Sequence, residues 1–189
     1  MHSPHQLLLH ACLCAALVTG SLFLSSPTYA ASTQQIFLPL IVGTPATPDA
    51  PATPNLPAPL DSEEEAAVDL TNAYRASSGC AALAVSPELV AAAEAHSSDM
   101  ATHIFLKHEG SDSSEPWDRA TAAGYVWSKI GENILTGMTT GESAMALWED
   151  SPGHKANLIT CAYQDTGIAR VQAANGDWYW TQIFGKPGS

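Results

Sequence analysis

The chain has 189 residues and carries 19 Asp and Glu against 7 Lys and Arg, a formal net charge of -12. A surface of that sign repels phosphate backbones and anionic bilayers, and no basic stretch with interleaved aromatics relieves it, so nucleic acid is excluded as a partner. All seven basic residues lie at or beyond Arg75, so the chain falls into two parts of different composition.

Leu7 to Leu24 is an apolar run followed by SSPTYA, which resembles a secretory h-region ending in a small-x-small cleavage site. Residues 1–30 are therefore read as a signal peptide cut after Ala30, although its start carries His2, His5 and His10 in place of Lys or Arg. An uncleaved anchor is the competing reading, but the run is short for a bilayer span and contains His10. The mature protein is thus expected to be secreted and to hold no transmembrane helix. Residues 31–60 form a Pro-rich linker in which Pro45, Pro48, Pro51, Pro54 and Pro57 recur at every third position, the period of polyproline II. The apolar Ile36 to Val42 within it is too short to span a membrane.

Residues 61–189 remain as the globular domain, long enough for one self-sufficient core. Ser62-Glu-Glu-Glu65 reads as a capping box opening a helix to about Ala76, with a buried stripe expected at Ala66, Leu70, Ala73 and Tyr74. Ser86-Pro87-Glu88 opens a second helix and sets Leu89, Ala92, Ala93, His96, Met100 and His103 on one side. His96, on an otherwise apolar stripe, reads first as a core histidine. Ser114 caps a short helix through Trp117 and Arg119 to Gly124; Tyr125 to Ile130 stays ambiguous. Gly131-Glu-Asn133 reads as a turn in which glycine freedom aims the Glu132 carboxylate.

Thr140 caps a helix carrying Met145, Leu147 and Trp148, and Ser151-Pro152 starts another. That break leaves His154 in a first helical turn, where the dipole favours the neutral imidazole. Near the C-terminus, Asn175-Gly176 between two alternating runs predicts a type I′ hairpin, with Trp178, Trp180, Gln182 and Phe184 on one face and Tyr179, Thr181 and Ile183 on the other. Helices first and an antiparallel hairpin last give an α+β sandwich. Cys12 and Cys14 leave with the signal, so Cys80 and Cys161 remain as an even pair in an oxidising compartment and are expected to be bonded. The loop closed would be about 80 residues, worth about 4 kcal/mol in the chain-entropy picture.

HSSDMA at His96 to Ala101, FLKH at Phe105 to His108, WDR at Trp117 to Arg119, AGY at Ala123 to Tyr125, GENI at Gly131 to Ile134, SPGHKANL at Ser151 to Leu158 and YWTQIFG at Tyr179 to Gly185 occur in one order and spacing. That series resembles the bacterial branch of the CAP superfamily, the SCP-like domains of cysteine-rich secretory proteins, venom allergens and plant pathogenesis-related proteins. The resemblance implies an α-β-α sandwich, its antiparallel sheet covered by helices on both faces, and an extracellular domain. It also implies a cleft with two His and two acidic residues, described in eukaryotic members as a divalent metal site, and partners that include sterols, other lipids or proteins. His108 matches the first His and Glu132 the first acid. The second acid falls on Ser151 and the second His on Tyr179, while His154 belongs to the bacterial pattern.

Taken as chemistry, His108, Glu132 and His154 supply two imidazoles and a carboxylate, a set that suits zinc with an open fourth position. The same set can polarise a water for hydrolysis, or lock a loop by hydrogen bonding. The expected function is an exported binding or interaction module whose cleft, with Ser151 and Tyr179 in it, holds a divalent metal such as zinc or a small apolar ligand. The Trp-rich hairpin would then offer apolar contact surface, unless its aromatics are simply the core face of the sheet. The competing reading is a secreted hydrolase acting on envelope or extracellular polymers. No Gly-x-Ser-x-Gly, phosphate-cradling loop or CxxC pair points elsewhere.

Overall fold

The computed structural model describes residues 57–189; the expected signal peptide, Ile36 to Val42 and the Pro-rich segment through residue 56 lie outside the described residues. Five helices and four strands follow in the order α1 (Ser62–Ser77), β1 (Ala84–Val85), α2 (Pro87–His103), α3 (Pro116–Ala122), β2 (Trp127–Thr136), α4 (Gly141–Asp150), α5 (Pro152–Leu158), β3 (Asp165–Gln172) and β4 (Trp178–Pro187). The strands form one sheet in the order β1-β3-β4-β2, antiparallel except for the short parallel pair β1 and β3.

Alternation along β4 decides which helix covers which face. Tyr179 and Ile183 enter the apolar layers under α2, with Leu89, Ala93 and Met100, while Trp180 and Phe184 enter the layer under α1 and α4, with Val68, Met145 and Trp148. The result is the expected α-β-α sandwich. The α2 backbone lies directly on β3 at Gly167, where a Cβ would strike the backbone of Leu89 and Val90.

Several local expectations shift. Asp61, not Ser62, caps α1, through a box closed by Glu64. Its buried stripe is Ala67, Val68, Thr71 and Arg75, one position on from the expected one, and Leu70 is 37% exposed. Two of those buried residues are polar, which apolar periodicity does not register. Glu115 rather than Ser114 caps α3. His103 turns outward to Asp99, 2.8 Å away. Gly131-Glu-Asn133 lies inside β2, not in a turn, and Gly131 is required because a Cβ there would meet the Tyr163 hydroxyl. At the β3–β4 hairpin only Gly176 has a positive φ, 94°, so the connection is not type I′; it closes through Ala173 N to Asp177 O and Gly176 N to Ala173 O.

Arg75 has no exposed surface and donates only to backbone carbonyls: Nε to Ala81 at 3.0 Å, Nη1 to Leu158 at 2.8 Å and Thr160 at 3.1 Å, and Nη2 to Tyr163 at 3.1 Å. It satisfies the irregular chain on both sides of the expected disulfide, Cys80–Cys161, which is formed with Cα atoms 4.9 Å apart. Among the described residues no helix is long and apolar enough to cross a membrane.

Arg75→Met leaves those carbonyls unpaired and is expected to cost about 3 kcal/mol, read as a drop of roughly 10 °C in the midpoint of thermal unfolding; a change under about 1 kcal/mol would show that the network is dispensable. Alkylation without reductant is expected to label neither Cys80 nor Cys161. Labelling of both would refute the bond.

Candidate functional site

Strand β2 hands successive side chains to opposite faces: Glu132 to the side of α2 and α3, Asn133 to the side of α5. The Glu132 side chain is only 2% exposed, so its charge needs partners in place. Arg119 Nη2 donates to Oε2 at 2.7 Å, and His108 Nδ1 donates to Oε1 at 2.7 Å. Arg119 can do this because Pro116 at the start of α3 and the box between Glu115 and Asp118 fix the helix one turn before it. The same guanidinium donates from Nη2 to His108 O at 2.9 Å and from Nη1 to Ser114 O at 2.7 Å. One arginine thereby ties the loop carrying His108 to α3 and to the sheet.

Because Nδ1 donates to Glu132, the other ring nitrogen of His108, Nε2, is left for the solvent side; the side chain is 52% exposed. Glu132 holds the His108 pKa above the ordinary histidine value, chiefly through that hydrogen bond. His96, fully buried on α2, donates from Nε2 to Lys107 O at 2.9 Å and lies 3.9 Å from Glu132 Oε1. Burial pushes its pKa down, so it stays neutral, a core histidine as first read. On the opposite face Asn157 donates to Glu132 O at 3.0 Å and Asn133 Oδ1 at 2.8 Å, and Asn133 donates to His154 O at 3.2 Å, which docks α5 onto β2. His154 is half-buried; burial first, and then the charge of His108, lower its pKa.

A shallow cleft of about 230 Å³ opens beside this network, lined by His108, Glu115, Pro116, Trp117, Gly131 and Glu132. Trp117 is 47% exposed there.

Residues 68–184 match the cysteine-rich secretory protein family, CAP. The chain belongs to the CAP family. It is similar to the Bacillus subtilis (strain 168) protein YkwD, with 31% identity over 121 residues that make up 64% of this chain and 46% of YkwD. A Bacillus anthracis extracellular protein containing a SCP domain aligns with a TM-score of 0.60 at 24% identity, over 69% of this chain and 45% of that one. An outer surface protein of Borrelia burgdorferi aligns with a TM-score of 0.62 at 18% identity, over 68% of this chain and 97% of that one. The chain spans less than half the length of the curated relatives it matches.

In this CAP domain the sequence-derived site is only partly assembled. His108 and Glu132 are bonded directly, and His154 lies within electrostatic range of His108. Ser151 sits between α4 and α5, at the N-cap of α5, and makes no side-chain capping bond. Tyr179 is 4% exposed and packs with Met100, Ala101 and Ile134, because its place in the β4 alternation points it under α2. The aromatic hairpin is no contact surface either: Trp180 and Phe184 are fully buried, and Trp178 packs against the same core.

A three-ligand metal centre at His108, Glu132 and His154 does not fit this arrangement. Both Glu132 oxygens are engaged, one by a guanidinium at 2.7 Å, so a divalent cation bound there would have to displace an ion pair and sit against a like charge. Among the described residues no three His, Cys, Asp or Glu side chains gather as a metal-ligating set. What the sequence reading passed over is Arg119. It was visible as the basic member of the WDR motif, one of only seven in the chain.

The raised His108 pKa means that its bond to Glu132 stabilises the fold fully below the ordinary histidine value of 6.5 and that this contribution is lost as pH rises through the higher folded-state value. An NMR titration of the imidazoles is expected to place His108 above His96 and His154, and Glu132→Gln is expected to bring His108 down. A His108 midpoint unmoved by Glu132→Gln would mean that the bond is absent in solution.

Proposed function

We propose that this CAP domain is exported and acts outside the cell as a binding or interaction module, with the cleft between His108 and Trp117 as its ligand site. The observation that carries this reading is the 2.7 Å bond from His108 Nδ1 to Glu132, which fixes the ring from behind and leaves Nε2 open beside an exposed indole. An oriented hydrogen-bonding nitrogen next to an apolar wall of Trp117 and Pro116 suits a small ligand with one apolar face and one polar group. The disulfide and the extracellular B. anthracis and outer-surface Borrelia relatives support the location.

A hydrolase acting on envelope or extracellular polymers draws on the same bond, since a carboxylate behind a histidine is how a general base is oriented. Binding is the better reading because, among the described residues, His108 hydrogen-bonds to Glu132 and Arg119 and to no hydroxyl or thiol that it could activate as a nucleophile. A zinc- or lipid-dependent version has less support: Glu132 is already neutralised, and the aromatic face of the hairpin is core.

A fragment screen followed by two-dimensional NMR is expected to yield ligands that shift the Trp117 indole and the His108 imidazole together, and that bind at least about tenfold more weakly to Trp117→Ala and His108→Ala. Ligands indifferent to both substitutions would place the site elsewhere. Turnover of an envelope polymer that Glu132→Gln abolishes with the fold intact would replace the binding reading with the hydrolase.

A further inference from the structure

A second concavity, larger than the cleft beside His108, opens elsewhere in the domain. It is a groove of about 580 Å³ between α2 and α3, on the other side of Arg119. Small side chains make it: Ala91 and Ala95 recur one turn apart on α2, and Ala122 closes α3 opposite them. Larger side chains at those positions would fill the gap.

Two buried side chains lining this groove each carry a polar atom without a partner: Nδ1 of His96, whose residue has no exposed surface, and Nε of Arg119, whose residue is 8% exposed. Their chemistry is complementary. With Nε2 donating to Lys107 O, His96 Nδ1 is a bare acceptor, whereas Arg119 Nε carries a hydrogen and is a donor. Buried polar atoms left unmatched are uncommon, and each calls for a reason such as strain, a functional role or a bound partner. A peptide unit supplies one N–H and one C=O, the pair that these atoms lack.

The groove's charge narrows the class. Asp99, Asp112 and Asp118 line it, and its lone cation, Arg119, is already paired with Glu132. An alanine floor under three carboxylates suits an alkyl stem that ends in a positive charge. We propose that the groove between α2 and α3 is a second binding site, for a peptide segment bearing lysine or arginine. The basic side chains meet the aspartates, their stems lie on the alanines, and one peptide unit engages His96 and Arg119 after a slight tilt of each. The chain's own N-terminal segment does not meet this description, because no Lys or Arg precedes Arg75.

The test is fluorescence anisotropy of the secreted chain with a fluorescein-labelled, terminally blocked peptide of alternating lysine and alanine, and with a matched peptide of glutamate and alanine. Saturable binding of the lysine peptide alone is expected, weakening with added salt. Ala95→Leu fills the floor from an exposed helical position and is expected to weaken it at least about tenfold; Asp112→Asn, which keeps the turn acceptor, about threefold. Bound peptide is also expected to shift the His96 Nδ1 resonance, which loose charge attraction would leave in place. Absence of saturable binding, equal binding of the two peptides, or binding untouched by Ala95→Leu would each overturn the proposal.

Discussion

A carboxylate folded under α2 and α3 has to be neutralised where it lies, and Arg119 does this for Glu132 at 2.7 Å. Removing one member of such a buried pair typically costs about 3–5 kcal/mol, because the other charge is left without water or partner. Much of the domain's working surface hangs on that pair. The guanidinium holds the His108 and Ser114 carbonyls, the carboxylate holds the His108 ring, and the strand that carries Glu132 docks α5 through Asn157. The cleft beside Trp117 and the groove beside Ala95 lie on two sides of one ion pair.

Arg75 shows the same economy in a different role. A chain with so few basic residues places two of them inside, one on a carboxylate and one on backbone carbonyls alone. Arginine suits both tasks, since its fork of donors reaches several acceptors in one plane and keeps its charge under burial. The acidic excess is left on the surface, where it costs little and sets the character of the groove rim.

The long-range architecture was readable from pattern. Alternation in the final hairpin put the two faces of β4 where they lie, the Ser86-Pro87 start placed α2, and Cys80 and Cys161, the two cysteines of the globular domain, gave the disulfide. The failures have separate causes, of which the first is polar residues that the fold buries and the second a glycine whose role is not visible in sequence. Thr71 and Arg75 rotated the buried face of α1 away from the apolar stripe, and Gly131 read as a turn because a glycine that makes room for Tyr163 looks the same as one that turns the chain. At the site, spacing brought out His108 and Glu132 but gave no hint that Arg119 would take the second carboxylate oxygen. Ser151 and Tyr179 entered the expected cleft by correspondence of position, and the alternation of β4 sends Tyr179 into the core.

Whether Glu132 orients a histidine or ligates a cation is best decided by calorimetric titration of zinc into the chelator-stripped protein, alongside His108→Ala, His154→Ala and Glu132→Gln. With Glu132 held by Arg119, no stoichiometric binding that depends on Glu132 is expected. Tight one-to-one binding lost in all three variants would contradict the ion pair as the organising interaction and restore a metal centre at this site.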